Sequence, residues 1–466
     1  MAAEKINMDT MPLTWRHIRV FLVASLGQFL GAALATLVGI IIPLIQIVRH
    51  PELTSFEQGA LGCTGLVGIM VGAALFGRLS DRFGYLFFFR LCPTLVLMAS
   101  ALAFWLDSLP GFAICLLFIG FGIGGEYALD PDYISEIMPV KWKLLMVGAS
   151  KATSAVGNIL MAVLCFFFLK DWQSAETWNR LLLILTGGAV VMILSRIRFA
   201  QSPGWLVTHG RIAEAEKAVQ YFLGKNVVLG SLLNKAQKVK MPKLAWKDLF
   251  KKGMFRDVVL GGIPWACEGV GVYGIGMFTP ILVLALGLES ASEGAFPRVV
   301  SSLQITSYIN IFYLVGFGIG LYLVNRVYHI RLQTWGFIFC AAGLTLLLIA
   351  YLFHWPTWIA LVGFMSFEIF LNAGPHLMTF ILPSQIYSVA DRGSGMGVSA
   401  AIGKMGAVVG VVLIPVLLEL GGGTLVLVVT IGINLLGAFV TYVVGRKVLP
   451  VNAMPEKLKQ HMAEKG

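Results

Sequence analysis

Charge is scarce in this chain. Of its 466 residues, 13% are Asp, Glu, Lys or Arg and 58% are apolar, whereas a soluble domain carries about 25% charged residues. That scarcity leaves too little polar surface for a soluble globule of this length. Cysteine is rare as well. The six (Cys63, Cys92, Cys115, Cys165, Cys267, Cys340) stand singly in different apolar stretches. No pair has metal or redox spacing, so all six read as packing residues. No Gly-rich stretch ends in Gly-Lys-Ser/Thr, the sequence that cradles nucleotide phosphates, so energy for any work would come from an ion gradient. No nucleophile–base pair or metal set gathers as an enzyme requires, and no cofactor is implied. The N-terminus begins polar and the first apolar run is too long for a signal h-region, so a cleaved leader is not expected.

What the chain does have is long apolar runs. Residues 19–199 and 256–447 are almost continuously apolar, broken by short polar hinges, while 200–255 is polar and basic. A bilayer core about 30 Å thick needs roughly 20 apolar residues per helix. Runs of this length satisfy their backbone in lipid as helices rather than barrel strands. The predicted spans are 19–47, 59–79, 86–106, 110–136, 146–168, 179–199, 256–286, 300–325, 333–353, 357–381, 396–418 and 424–447. The expected fold class is therefore all-α and polytopic, with about twelve transmembrane helices. The expected organisation is an N-terminal six-helix bundle (1–199), a central loop with a short amphipathic helix (200–255), and a C-terminal six-helix bundle with a tail (256–466).

The formal charge is +11, which raises nucleic acid as a partner. The distribution of that charge argues for topology instead. Basic residues fall on one set of loops: Arg16 and Arg19; Arg78, Arg82 and Arg90; Lys141 and Lys143; the central loop; Arg326 and Arg331; Arg392; Arg446 and Lys447. The opposite loops hold Arg49, Lys170, Arg180 and Arg298. The positive-inside rule places both termini and the central loop in the cytoplasm, in a multi-pass protein of the cytoplasmic membrane. Contact with anionic lipid adds to this.

Gly77-Arg-Leu-Ser-Asp81-Arg82-Phe-Gly84 falls in the short loop after the second span. Its glycines permit a tight turn, and Asp81 and Arg82 can pair across a gate. This motif resembles the loop signature of the major facilitator superfamily. An eroded copy, Leu321-Tyr-Leu-Val-Asn325-Arg326, occupies the equivalent loop of the second half, as internal duplication implies. Gln201-Ser-Pro203-Gly-Trp205 through Glu214 is similar to the segment after span six in sugar porters, with 211–223 reading as a short amphipathic helix. The usual Glu is Gln201 and the usual Arg is Gly204, so a salt-bridged latch is expected to be weakened. The resemblance implies two pseudo-symmetric six-helix bundles, alternating access, a small-molecule substrate, and a monomer.

Ionisable groups near mid-span are costly and functional by default. Glu126 and Asp130 in span four lie four residues apart and share a helix face. Ionised together they repel, so one is expected to carry a proton near neutral pH, which makes them candidate proton-coupling groups. Glu136, nearer the basic loops, reads as part of a gate network with Arg392; Asp132 is ambiguous. Lys151 and Lys404 are the expected opposite charges, either pairing with span-four carboxylates or binding an anion. Glu268, Glu368, Asn372 and His376 complete the polar set. Tyr127 could line a cavity or simply pack.

Three stretches narrow the resemblance. Gly124-Gly-Glu126-Tyr127 through Glu136, Asn372-Ala-Gly374-Pro375-His376, and Ser399 through Gly403-Lys404-Met-Gly406 resemble the span-four, span-ten and span-eleven motifs of phosphate:proton symporters. By that resemblance Glu126 couples the proton, and Glu268, Asn372 and Lys404 surround an anion. Two departures stand out. The span-one acid is absent from Gln28-Phe-Leu-Gly31, and the span-four Arg is Leu116. Asp130 and Lys151 are the expected substitutes. The expected function is secondary active transport, probed first as proton-coupled symport of phosphate or an organic carboxylate. A sugar or other organic-solute symporter or facilitator, and a membrane sensor that no longer transports, are the alternatives.

Overall fold

The computed structural model describes residues 6–49, 53–106, 108–230, 254–286, 294–324, 326–386 and 392–448. The described residues are helical almost throughout. In order, α1 is Trp15–Ala24, α2 Leu26–Val48, α3 Ser55–Phe83, α4 Tyr85–Phe104, α5 Leu109–Ile137, α6 Val140–Trp172 and α7 Leu182–Arg196, which a 3-10 turn (Ala175–Leu181) precedes. Two short helices follow, α8 (Pro203–Thr208) and α9 (Ile212–Leu223). Next come α10 (Phe255–Gly269), a π-helical segment (Val270–Ile275), α11 (Gly276–Ala285), α12 (Ala295–Leu323), α13 (His329–Leu352), α14 (Thr357–Ala373), α15 (Pro375–Ile386) and α16 (Arg392–Val448).

Length and hydropathy mark eleven membrane-crossing stretches among the described residues. The last of them is two helices. Within α16 the backbone leaves helical geometry at Gly421 and at Gly422, whose φ is +63°, a region that glycine enters without steric cost. Divided there, α16 brings the total to the twelve spans expected. Large apolar side chains such as Phe87, Trp105, Phe167 and Phe439 face outward, which suits contact with lipid tails.

Local chemistry sets several ends. The Ser108 side chain accepts from the Gly111 N–H and caps α5, with Pro110 in the first turn. Pro131 lies inside α5 without ending it. Ser202 caps α8, accepting from the Trp205 N–H at 3.0 Å, and Pro203 opens that helix; proline suits this position because its missing N–H would be unpaired anyway. The Gly77–Gly84 motif does not form a loop along its length: α3 runs through Phe83, and the chain turns at Gly84.

By contacts the chain divides into two units. The first holds residues 1–34, 67–157 and 182–242, the second 35–66, 158–181 and 243–466. In the first unit, Phe89, Tyr133, Phe199 and Phe222 form a run of ring contacts inside a core that includes Val20 and Leu206. A two-residue parallel pairing of Ile6–Asn7 with Val227–Val228 ties the N-terminal arm to the segment after α9. In the second unit, one core cluster gathers Leu260, Ile330, Leu377 and Leu382.

Candidate functional site

Glu126 and Asp130 lie one turn apart on α5, and both are fully buried. The cation that meets them is Arg196, the last residue of α7, itself 0% exposed. Its Nη1 is 2.7 Å from the Glu126 carboxylate, and its Nη2 is 3.6 Å from Asp130 Oδ1. The guanidinium also donates to the Phe89 carbonyl at 2.9 Å and to the Val23 carbonyl at 3.4 Å. Its carbon stands 3.5 Å from the centroid of the Phe89 ring, a cation–π contact strengthened by burial. The five residues involved lie on four helices, α1, α4, α5 and α7, so the cluster is a junction as well as a charge site.

Gly27 on α2 shows how tightly this cluster is enclosed. A Cβ at that position would collide with Asp130 Oδ2 and with the Glu126 side chain. The Asp130 carboxylate thus occupies the space that a span-one side chain would fill. Asp130 therefore packs directly against the span-one backbone at Gly27. Its cationic neighbour is Arg196, not the Lys151 expected from the sequence.

Sequence reasoning did not single out Arg196. It ends an apolar run and is followed by Arg198, so it reads as one more basic residue at a membrane boundary. The available signal was the unbalanced pair Glu126 and Asp130, which calls for a cation on a neighbouring span.

Lys151 on α6 is 5% exposed. Its Nζ lies 3.5 Å from Gln28 Oε1, a long contact, and 5.0 Å from the centroid of the Tyr127 ring. The structure thus brings Lys151 and Tyr127 together, with Gln28 of α2 beside them.

Glu136, near the end of α5, meets the segment after α7. Its Oε2 accepts from the Ser202 hydroxyl at 2.6 Å and from the Gly204 N–H at 2.9 Å. A Cβ on Gly204 would overlap the Glu136 carboxylate, so the glycine standing where sugar porters carry Arg lets the carboxylate approach the backbone itself. Gln201 Oε1 accepts from the Leu86 N–H at 2.9 Å. Hydrogen bonds from Ser202 and Gly204 to Glu136, and from Leu86 to Gln201, thus join this segment to α5 and α4. Gly77, Asp81, Arg82, Arg392 and Asp132 lie within helices, but their side chains fall outside the described set. Gly84, with φ +99°, precedes α4. Residues 231–253 of the predicted central loop also lie outside the described residues.

The second unit carries its own buried polar cluster. Glu268 on α10 is hydrogen-bonded to His376 Nδ1 on α15, and the Phe317 ring meets the histidine at 5.4 Å. Glu368 on α14 is fully buried beside Tyr313 of α12. Asn372, one turn along α14, donates to the Glu368 carbonyl at 2.8 Å, and its Oδ1 is buried without a hydrogen bond. Lys404 on α16 donates to the Tyr273 hydroxyl at 2.7 Å and stands 4.2 Å from its ring centroid. Tyr273 belongs to the π-helical segment, a local widening that recurs at functional sites and that the apolar pattern does not reveal. Gly406 permits the close packing here, since a Cβ there would strike the Ala266 backbone. Among the described residues no three His, Cys, Asp or Glu side chains gather as a metal site.

A sequence model described as "Sugar (and other) transporter" matches residues 13–446. The chain belongs to this family. It is 26% identical over 442 residues to the inner membrane metabolite transport protein YgcS of Escherichia coli, covering 95% of this chain and 94% of that one. It is 22% identical over 447 residues to the repressible high-affinity phosphate permease of Neurospora crassa, covering 87% and 78%. The fold is similar to that of the xylose transporter XylE from E. coli in a partially occluded inward-open conformation. That match has a TM-score of 0.76 at 18% identity, over 94% of this chain and 98% of that one. The protein is thus a multi-pass membrane transporter of the major facilitator superfamily, of sugar-porter type. Family and fold are those of transporters of small solutes, not of enzymes.

Proposed function

We propose that the protein is a secondary active transporter of the cytoplasmic membrane that carries a small anion together with protons by alternating access. The observation that carries this reading is the buried Glu126–Arg196–Asp130 cluster. Two carboxylates face one guanidinium, so the cluster is neutral with one proton and carries a net negative charge without it. An uncompensated charge at the centre of a membrane helix costs roughly 2.5–3.5 kcal/mol on insertion scales. Taking up a proton on one side of the membrane and losing it on the other would therefore shift the balance between conformations. Glu126 and Asp130 are the proton-coupling pair in this reading, and Arg196 is the fixed positive charge against which they titrate.

The second unit supplies the substrate chemistry. Lys404 is a half-buried ammonium positioned by Tyr273. The buried, unbonded Oδ1 of Asn372 offers an acceptor to a protonated ligand oxygen, and the hydrogen bond from His376 holds the Glu268 side chain in place. An ammonium with acceptors nearby suits a partly protonated oxyanion, phosphate-like or an organic carboxylate. Lys151 and Tyr127 contribute a second cation and ring in the first unit. The similarity to a phosphate permease supports an anion. Glu136, Gly204 and Gly84 serve as the gate, with Gly77, Asp81, Arg82 and Arg392. In this reading the protein works as a monomer with two six-helix bundles, and the distribution of basic residues supports both termini in the cytoplasm.

A second reading, symport of a sugar, is favoured by the fold likeness to a protein described as a proton:xylose symporter. One experiment separates the two: uptake of labelled phosphate and of labelled xylose into proteoliposomes, with and without an inside-alkaline pH gradient. Gradient-driven phosphate accumulation, abolished by Lys404→Ala and by Glu126→Gln, is the expected result. Accumulation of xylose alone would replace the anion with a sugar. Flux indifferent to the gradient would remove proton coupling, and binding without flux would turn the reading towards a sensor.

A further inference from the structure

We propose that a basic pocket on the first unit binds a phosphoryl group, supplied by the headgroup of an anionic membrane lipid. The pocket is an open concavity of about 310 Å3 among the start of α1, the segment after α7 and the end of α9. Four cations line it, Arg16, Arg19, Arg198 and Lys225, and none of the other described lining residues is a carboxylate. Like charges converging on one concavity raise the local potential and concentrate anions there.

The pocket is built rather than formed by chance from mobile side chains. Arg16 Nη1 donates to the Leu223 carbonyl at 2.6 Å, which fastens α1 to the last turn of α9. The Tyr221 hydroxyl donates to the Arg198 carbonyl, which fastens α9 to the segment after α7. Gly224, at φ +126°, stands where any Cβ would strike the Arg16 guanidinium, so the helix ends in a residue that leaves Arg16 its place. The three segments that carry the cations are thus tied to one another at the rim. A concavity of this volume has room for a phosphodiester and the glycerol beside it.

The surroundings select a lipid as the source of that phosphate. Trp15 precedes Arg16, Leu22 follows Arg19 by less than a turn, and Leu194 and Ile197 lie just before Arg198; all four are exposed. The cations therefore stand where the outward apolar surface of α1 and α7 begins, the level of lipid headgroups. Tryptophan prefers the same level. Acyl chains lying along Leu22, Leu194 and Ile197 would leave the phosphate at the pocket mouth. On the positive-inside reading this is the cytoplasmic face, whose leaflet carries the anionic lipids.

The test is native mass spectrometry of the full chain with phosphatidylglycerol or phosphatidylcholine, beside soluble arms with glycerol 3-phosphate and inorganic phosphate. The expected result is selective retention of phosphatidylglycerol, cut at least fivefold in Arg19→Gln/Arg198→Gln but unchanged in Arg211→Gln, a cation outside the pocket. Lys225→Gln, an exposed position, gives a partial loss and serves if the double variant fails to fold. Retention that ignores headgroup charge, or that survives both pocket variants, would overturn the site. Binding of glycerol 3-phosphate or inorganic phosphate that depends on Arg19 and Arg198, without retention of phosphatidylglycerol, would overturn the lipid as its source. The readout is retention and not uptake, so the result stands apart from the identity of the transported solute.

Discussion

Arg196 Nη1 lies 2.7 Å from the Glu126 carboxylate, and neither side chain is exposed. The pair joins α5 to α7 across seventy residues of sequence. With Asp130 beside them, it is a buried charge set whose balance depends on a proton, and each helix in it contributes a group that the others need.

Removing the guanidinium leaves two carboxylates buried without a counter-charge. Breaking a buried ion pair by deleting one partner costs about 3–5 kcal/mol. Arg196→Gln is therefore expected to lower the melting temperature of the detergent-solubilised protein sharply. Adding Glu126→Gln and Asp130→Asn should restore most of the loss. If the triple variant melts no higher than the single one, charge balance is not what Arg196 supplies.

The second prediction concerns the packing that encloses this cluster. Gly27→Ala places a methyl group against Asp130 and Glu126, and overpacking of this kind costs typically 1–3 kcal/mol. Asp130→Ala removes one of the two clashes but leaves the Glu126 side chain against the new methyl group, so the double variant should recover only part of the loss. Melting temperatures of the two single variants and the double variant decide the matter; strictly additive losses would show that the positions do not meet.

Glu136 and the Gly204 backbone make the third test. Hydrogen bonds to a charged group contribute about 1.5–3 kcal/mol, so Glu136→Ala should destabilise by an amount in that range. Glu136→Gln keeps an accepting oxygen and should lose less. Gly204→Ala should resemble Glu136→Ala, because its methyl group occupies the carboxylate's position. Thermal unfolding of all three checks the order, and an unaffected Gly204→Ala would refute the close approach.

An exposed pair supplies the contrast. Hydrogen bonding from Arg211, with its positive charge, holds the Glu214 carboxyl below the usual carboxylate value. A carboxyl lowered in the folded state contributes stability above its unfolded value and loses it as pH falls through the folded one. Both side chains are about half exposed, at 49% and 52%, where solvent and salt screen such pairs. Arg211→Gln should leave the melting temperature at pH 7 unchanged. A fall as large as that of Arg196→Gln would contradict this assignment.

Much of the architecture was legible in advance. The runs 59–79 and 110–136 correspond to α3 and α5, and 211–223 to α9, because apolar length and amphipathic spacing are local properties. The run 256–286 marks a span but does not show the π-helical segment inside it, since one extra residue in a turn hardly disturbs an apolar pattern. Gln201 and Gly204 show that a salt-bridged latch has lost its charges. Their sequence does not show that Glu136 instead reaches the backbone N–H that a bare glycine exposes.

By itself, then, the sequence determined a polytopic helical transporter, its family, and the rarity of its intramembrane charges. Tertiary structure decided which of those charges meet. Span length and polarity act within one segment and are written in order along the chain. The contact of Arg196 with Glu126, and the fit of Asp130 over Gly27, depend on which helix faces come together when α2, α5 and α7 pack, and no local stretch of residues encodes that.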